Sequence, residues 1–549
     1  MDLFKRYFYR NNFFLFFFII NFSLKNQLQK LENYFSANIM KHRFKGLTLS
    51  FLLLFFTACE ETKKESQGLR LREKPNIVII YLDDLGYGDV GAYGATAIKT
   101  PNMDRLANGG VKFLDGHASS ATCTPSRFAL LTGLYPWRNK DAHVLPGNAP
   151  LIIDTAKITV PKVLKASGYN TGIVGKWHLG LGNGDVNWNE RISPGPNELG
   201  FDYSYILAAT QDRVPTVYIE NGNVDNLDRS DPIDVSYSEN FEGQPTGKDN
   251  PELLTMMWDV GHNNSIVNGI GRIGYMRGGE SAKWSDIDMA DHFLNKAQSF
   301  VKENKESPFF LYYAMQQPHV PRTPHPRFKG ATDLGPRGDV IVEADWCIGQ
   351  FIRTLEEESL LENTLIILSS DNGPVLNDGY RDEADVRNGN HTPWGPFRGG
   401  KYCLFEAGTR VPFVTYWKGK ITPKTSNALV SQIDLLTSFA KLVGSEESTQ
   451  DSENILDALL GESDIGRKKL VLEASGRTAL RKGKWAMIPP HKGPSLYSGV
   501  NIESGNDEAY QLYDLEIEKA QLTNLADSLP EKLEELKQDF QEIIDSEEK

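Results

Sequence analysis

Two pairs of oxygen-bearing side chains stand directly behind apolar runs in this 549-residue sequence. Asp83-Asp84 follows Asn76 to Leu82 (NIVIIYL), and Asp371-Asn372 follows Leu365 to Ser369 (LIILS) after Ser370. Hard cations such as Ca²⁺ take several oxygen ligands, and three aspartates with one asparagine carbonyl make a suitable set. Either pair alone reads as turn chemistry, because Asp and Asn are common where strands end. Their recurrence in the contexts DDLGYGD and SDNG points to a shared site. A third candidate is Cys123, in Cys123-Thr124-Pro125-Ser126-Arg127 followed by Phe128-Ala129-Leu130-Leu131-Thr132-Gly133. Proline near the start, apolar residues behind it and glycine as terminator predict a helix with Cys123 at its N-terminus, an end that favours a negatively charged group.

The elements that must position these groups are legible around them. From Pro75 onward short β-branched or aromatic runs alternate with helical patterns, which predicts an α/β fold around a largely parallel sheet. Open sheets of that kind bind ligands outside the carboxyl ends of their strands. Strands 76–82 and 365–369 would thus deliver their ligands to one edge. Thr171 to Val174 precedes Gly175-Lys176-Trp177-His178-Leu179-Gly180, and Phe309 to Met315 precedes Gln317-Pro318-His319-Val320-Pro321. Further along stand Arg398-Gly399-Gly400-Lys401 and Glu406-Ala407-Gly408-Thr409-Arg410-Val411-Pro412. A lysine or histidine taken singly reads as a surface or core residue; the ordered set carries more weight.

Taken in order, these segments resemble the formylglycine-dependent (type I) sulfatases, arylsulfatase-like and similar to bacterial polysaccharide-degrading sulfatases. The resembling stretches are C-x-P-x-R with its LLTG continuation, GKWHLG, QPHVP, RGGK and EAGTRVP, the last with Ala407 where the family usually has glycine. The resemblance spans Pro75 to Val443. It implies an alkaline-phosphatase-like sandwich, a large mostly parallel sheet between helices, with a small C-terminal antiparallel sheet and a packed helix. It also implies that a formylglycine-generating enzyme oxidises Cys123 to formylglycine, whose hydrate supplies the nucleophile. Asp83, Asp84, Asp371, Asn372 and the modified Cys123 would then hold one Ca²⁺. Arg127 would hold a diol oxygen, and Lys176 and Lys401 would clasp sulfate oxygens as point charges. His319 would protonate the leaving oxygen, and His178 would take the proton from the second hydroxyl so that sulfate departs and the aldehyde returns.

Substrate choice must lie between these motifs. Asp185 to Lys283 is a long insertion rich in Asn, Gly and Asp, and it contains Thr210-Gln211-Asp212-Arg213-Val214-Pro215. Loop composition alone predicts a solvated surface, while its place in the chain predicts a pocket rim. Arg213, Asp378 and His391 are the candidate sugar contacts. The resemblance implies sulfated carbohydrate as substrate: algal polysaccharide such as ulvan or carrageenan, or glycosaminoglycan oligosaccharides. Two other classes stay open, a phosphatase or phosphodiesterase of the same superfamily and a non-catalytic lipoprotein that binds sulfated glycans. Cys123 within C-x-P-x-R argues against the first, and the complete set of motif residues against the second.

A formal net charge of −13 excludes nucleic acid as a partner, since tracking phosphates needs a basic surface. Four cysteines, at 59, 123, 347 and 403, are too few and scattered for a disulfide framework, and Cys347 and Cys403 are assigned no chemistry. The apolar runs Phe13 to Ile20 and Leu47 to Phe56 are shorter than the ~20 residues of a membrane span. The second, between Met40-Lys41-His42-Arg43 and Thr57-Ala58-Cys59, resembles a bacterial lipoprotein signal, with lipidation expected at Cys59 and a true start at Met40. The expected organisation is signal 1–58, tether 59–74, catalytic domain 75–467 and C-terminal subdomain 468–549, on an exported lipoprotein of the periplasm, outer membrane or cell surface, held to the membrane by its lipid only. Near the C-terminus Leu470 to Glu473, Thr478 to Ile488 and Gln511 to Leu515 read as strands. Ser528-Leu529-Pro530-Glu531 resembles a capping box before a helix with Leu533, Leu536, Phe540 and Ile544 on one face.

Overall fold

The computed structural model describes residues 74–546. The expected signal, tether and Cys59 therefore lie outside the described residues, apart from Lys74. A ten-stranded sheet organises the chain. Its strands are β1 (Asn76–Leu82), β2 (Val111–His117), β3 (Asn170–Lys176), β4 (Tyr203–Leu207), β5 (Tyr218–Glu220), β6 (Asn223–Val224), β7 (Phe309–Ala314), β8 (Thr364–Ser370), β9 (Phe413–Tyr416) and β10 (Lys424–Ser431). They lie in the order β10-β2-β9-β8-β1-β7-β3-β4-β5-β6. The run from β8 to β4 is parallel, and β9 runs antiparallel to both its neighbours.

All seven residues of β1 are buried, because a central parallel strand is covered on both faces. Ile77, Ile79 and Tyr81 join one core cluster, and Val78, Ile80 and Leu82 the other. Helices α1 (Pro101–Gly109), α4 (Met289–Glu303) and α5 (Pro336–Glu357) cover the second face through residues such as Leu106, Phe293, Phe300, Ile348 and Phe351. The first face is covered by α2 (Cys123–Thr132), α3 (Val160–Ala166) and α6 (Leu435–Val443). Truncating any of the buried β1 isoleucines to alanine would cost about 2–5 kcal/mol. The sandwich expected from the sequence is thus formed.

The C-terminal region makes a four-stranded antiparallel sheet of β11 (Lys469–Ala474), β12 (Arg477–Lys482), β13 (Trp485–Ile488) and β14 (Gln511–Asp514), in that order, with α7 (Pro530–Ile544) packed on it. The single run expected over Thr478 to Ile488 is in fact a hairpin that turns after Lys482, where Gly483 takes φ 55°. The capping box expected at Ser528 is not made. Leu529 is the N-cap of α7, Pro530 supplies the first turn, and Ser528 Oγ donates to Leu525 O at 3.1 Å. The apolar stripe does pack as expected, with Leu533, Leu536, Phe540 and Ile544 against the small sheet.

The insertion is more ordered than its composition suggests. It supplies β4, β5 and β6 to the main sheet and buries Trp188, Phe201 and Val214. Apolar residues spaced among Asn and Gly suffice to anchor it, and the polar majority forms the turns. Among the described residues no helix is long and apolar enough to cross a membrane.

Candidate active site

Strand register brings the two acidic pairs together. Leu82 pairs with Ser370 in the parallel β1–β8 ladder, so the next residues, Asp83 and Asp371, emerge side by side from the same edge. Asp371 N donates to Leu82 O and Asp83 N to Gln317 O, at 3.1 and 3.0 Å, which locks both departures. Ala314 of β7 pairs with Gly175 of β3, so Lys176 ends at that edge too. The chain then has to turn within a residue or two. Asp84 takes φ 65° and His178 φ 55°, left-handed conformations unusual for side-chain-bearing residues and typical of sites where the surroundings over-determine the backbone.

Helix α2 presents Cys123. Thr122 precedes it in extended conformation, and Gly133 at φ 64° ends the helix. All ten residues of α2 are buried because it is wedged between the two sheets, Phe128 and Leu130 packing on the large one and Ala129 on the small one. Burial raises the Cys123 thiol pKa, against the pull of Lys176 and Lys401. Asp83, Cys123 and Asp371 bring one ligand atom each within 4.8 Å of one another, and Asp83, Asp84 and His319 do the same.

Charge is balanced by close pairs. Lys176 Nζ donates to Asp83 Oδ2 at 2.5 Å and lies 3.8 Å from Asp371 Oδ2. Lys401 Nζ bridges Asp84 Oδ2 and Asp378 Oδ2, at 2.9 and 2.8 Å. Burial opposes the Lys401 charge, but Asp378 and Asp84 outweigh it and hold its pKa well above the usual lysine range. Burial, then the neighbouring Asp371, push Asp83 well up, whereas for Asp371 the penalty of burial is overcome by Arg127 and Lys176 and its pKa falls.

Partner accounting tests whether a cation fits. Asp83 Oδ1 and Asn372 Oδ1 are buried with no hydrogen-bond partner. Leaving such acceptors dry costs about 1–3 kcal/mol each, so a site that retains them needs a reason. Both belong to the ligand set read from the sequence, whose members offer oxygens apart from the Cys123 sulfur. A hard divalent cation fits this set, with Asp83, Asp84, Asp371 and Asn372 as its protein ligands.

The histidines are poised by their partners. His178 Nε2 lies 2.9 Å from Leu145 O and so carries the proton, which leaves Nδ1 as a buried acceptor with no partner. His319 Nδ1 lies 2.7 Å from Val320 O, which leaves Nε2 as the free nitrogen, 3.9 Å from Asp84 Oδ2. Burial, reinforced by Lys176 for His178 and by Lys401 for His319, holds both rings well below the ordinary histidine pKa and hence neutral.

Two of the expected site residues are engaged by protein partners. Arg127 is fully buried and spends its guanidinium on protein: Nε and Nη2 donate to Asp371 Oδ2 at 3.0 and 2.8 Å, and Nη1 to Lys176 O and Tyr312 OH. Its bonds from Nε and Nη2 position Asp371. His391 does not join the site. Its Nε2 binds Asp89 Oδ1 at 2.8 Å, the carboxylate that Arg337 also grips, so it belongs to a separate buried cluster. Arg213 and Asp378 do stand at the site, the first within electrostatic reach of Cys123 and the second on Lys401. Three residues were missed: Tyr402, whose OH reaches Asp378 at 3.3 Å, Asp212, which holds Arg213 at 2.9 Å, and His262, which binds Asp212 at 2.9 Å. Tyr402 adjoins Lys401 and Asp212 adjoins Arg213, so neighbourhood in sequence was a usable signal for these two. His262 sits in the insertion with no local pattern to mark it.

Comparison with known proteins agrees with this geometry. The family model described as Sulfatase matches residues 75–445. The chain is 48% identical over 502 residues to an N-acetylgalactosamine-6-O-sulfatase of Bacteroides thetaiotaomicron, covering 90% of this chain and 98% of that protein. It is 31% identical to human Arylsulfatase A over 501 residues, covering 86% and 88% of the two chains. A solved structure from work on the metabolism of multiple glycosaminoglycans by Bacteroides thetaiotaomicron superposes with a TM-score of 0.85 at 48% identity, over 86% of this chain and 99% of that one.

Proposed function

This chain belongs to the sulfatase family and is a sulfuric ester hydrolase; from that premise we propose that it removes 6-O-sulfate from N-acetylgalactosamine units of glycosaminoglycan fragments, using formylglycine made from Cys123 and one Ca²⁺. The observation that carries the catalytic part is the pair of partnerless buried oxygens, Asp83 Oδ1 and Asn372 Oδ1, beside Cys123. The substrate part rests on the 48% identity, nearly end to end, with a protein of that activity. Exchange of the Cys123 sulfur for oxygen would also make the donor set uniformly hard, which suits calcium better than a thiolate does. When present, the ion would polarise the sulfate and the hydrated aldehyde would supply the attacking oxygen.

The chain's own residues have these roles. Lys176 and Lys401 balance the sulfate charge, with Arg127 keeping Asp371 in place. His178 accepts a proton at Nδ1, the atom left without a partner. His319 delivers one from Nε2 to the leaving sugar oxygen, and because burial keeps this ring neutral, it takes up that proton only when an anionic substrate joins the site. Arg213 and Asp378 orient the sugar. A signal-like segment ahead of Cys59 supports export, lipid anchoring at Cys59 and a periplasmic or cell-surface place of work.

Peptide mass spectrometry across Cys123, in protein from a host with a formylglycine-generating system, tests the nucleophile. Replacement of the thiol by an aldehyde is expected. An intact thiol, in a host that matures a control sulfatase, would overturn the reading. Side-by-side assays on 6-O- and 4-O-sulfated N-acetylgalactosamine oligosaccharides, carrageenan fragments and phosphate monoesters test the substrate, with the 6-O-sulfate expected to turn over fastest.

A further inference from the structure

The tip of the β11–β12 hairpin reaches out of the small sheet and touches two catalytic loops at once. Its turn is Ser475-Gly476, with φ of 52° and 80°, between the paired residues Ala474 and Arg477. Positive φ at both central positions is the mark of the tight turns that match strand twist, and it is unfavourable for serine. The turn is held regardless by Glu473, whose carboxylate accepts from Gly476 N.

That same carboxylate is only 3% exposed and takes a hydrogen bond from Ser120 Oγ. The backbones are joined as well, Ala121 N to Glu473 O at 2.8 Å and Glu473 N to Ser119 O at 3.2 Å. Ser120 in turn grips the start of α2. Its Oγ meets Thr122 Oγ1 at 3.0 Å and Thr122 N at 3.1 Å, and its backbone N and O bind Ser126 Oγ at 3.1 and 2.9 Å. The side chain next to the nucleophile position thus spends its hydroxyl on Ser120 and leaves α2 without a side-chain cap.

Arg477 holds the other loop. Its Nη2 donates to Tyr402 O at 2.8 Å, and Nη1 reaches Ser504 O and Asn506 Oδ1. Tyr402, next to Lys401, has φ 73° and donates its N–H to Ala121 O at 2.8 Å. One hairpin tip therefore closes a triangle with the Cys123 loop and the Lys401 loop. Nothing in this triangle touches the reacting atoms, yet it sets the separation of the nucleophile and a sulfate-binding cation.

We propose that Glu473 and Arg477 are positioning residues for sulfate hydrolysis, the hairpin tip acting as a clamp that fixes Cys123 and Lys401 relative to each other. The inference rests on the catalytic reading of those two residues. Loss of alignment at a distance from the chemistry can cost up to about a hundredfold in rate, and that sets the expected scale.

The test compares Glu473→Gln, Arg477→Ala and the control Lys482→Ala. Lys482 lies on the same sheet but pairs with Glu535 and Asp539 of α7, away from the loops. In fully matured protein, normalised to folded fraction, the first two variants are expected to lower kcat about tenfold to a hundredfold with KM changed less than about threefold. The control should lose stability at unchanged kcat. Titration of inorganic sulfate, followed calorimetrically, should show binding weakened in Glu473→Gln and Arg477→Ala and not in the control. If sulfate binding and kcat of both variants match wild type, or fall equally in the control, the clamp is overturned. Should wild type hydrolyse no sulfate ester, the catalytic reading fails, and the sulfate titration still decides whether the tip sets the anion site.

Discussion

Two buried charge networks in this protein look alike in composition and differ in completeness. The first joins Asp83, Asp84, Asp371 and Asp378 to Lys176, Lys401 and Arg127. The second joins Asp115, His117 and Glu406 to Arg410 and Arg481, and its carboxylates and imidazole are also close enough to hold a metal. In the second network the acceptors are engaged. Glu406 Oε2 accepts from Arg481 at 2.6 Å and from Arg410, and Asp115 Oδ1 meets Arg410 at 2.5 Å and His117 at 2.9 Å. Nothing in it appears among the partnerless buried atoms of the described residues. In and beside the first network Asp83 Oδ1, Asn372 Oδ1 and His178 Nδ1 have no hydrogen-bond partner. Complete networks rigidify a fold, and incomplete ones mark where a ligand is due, so the geometry of three carboxylates alone does not identify a metal site.

The sharpest way to break this comparison is to remove one carboxylate from each network. Asp83→Asn should lower hydrolysis of a sulfate monoester at least about 10³-fold. It relieves like-charge crowding, so unfolding by denaturant should show the metal-free protein no less stable than wild type. Cys123→Ala and Asp371→Ala should likewise abolish turnover, but Asp371→Ala strands Arg127. Glu406→Gln should do the reverse. It leaves two guanidinium groups short of a partner and should cost about 3–5 kcal/mol of stability, with kcat of the folded fraction preserved. If Glu406→Gln abolished kcat in folded protein, the second network would have to be counted as catalytic.

Ligand dependence gives a second, smaller contrast. Calcium at a hundred times its Kd should stabilise wild type by about 2.7 kcal/mol, seen as a rise in Tm that chelation reverses. Asp83→Asn should lose that rise, and Glu406→Gln should keep it. Acid titration gives a third. Burial by itself would raise the Glu406 pKa, but Arg481 and Arg410 outweigh burial and bring it to about 2. A folded pKa below the unfolded value of about 4.3 means stability that is present above that pH and lost as pH falls toward 2, on the order of 3 kcal/mol. Wild type should therefore steepen in acid unfolding over that window relative to Glu406→Gln. The smallest effect is expected from Cys347→Ala, on α5 behind the sheet, which should leave kcat unchanged and cost no more than about 1–2 kcal/mol.

Much of this was legible in the residues themselves. The apolar run 76–82 could only be a doubly covered strand, and it is β1 to the residue. Cys123, Pro125 and Gly133 marked both ends of α2 correctly. His391 was misplaced because a histidine near a catalytic motif looks the same in sequence whether it faces a pocket or Asp89. His262 and Glu473 were invisible for a related reason, since each acts through a partner far away in sequence, Asp212 in one case and Ser120 in the other.

The amino-acid sequence by itself determined the kinds of groups available, the strands and helix that end in them, and the sulfatase chemistry they resemble, because periodicity and short motifs are local properties of a chain. Only the tertiary structure decided which charges are satisfied and which are left waiting. Satisfaction depends on register across β1 and β8, on a guanidinium arriving from β12, and on a hairpin tip reaching two loops at once. Those are distances between segments 75 to more than 350 residues apart, and no local pattern encodes them.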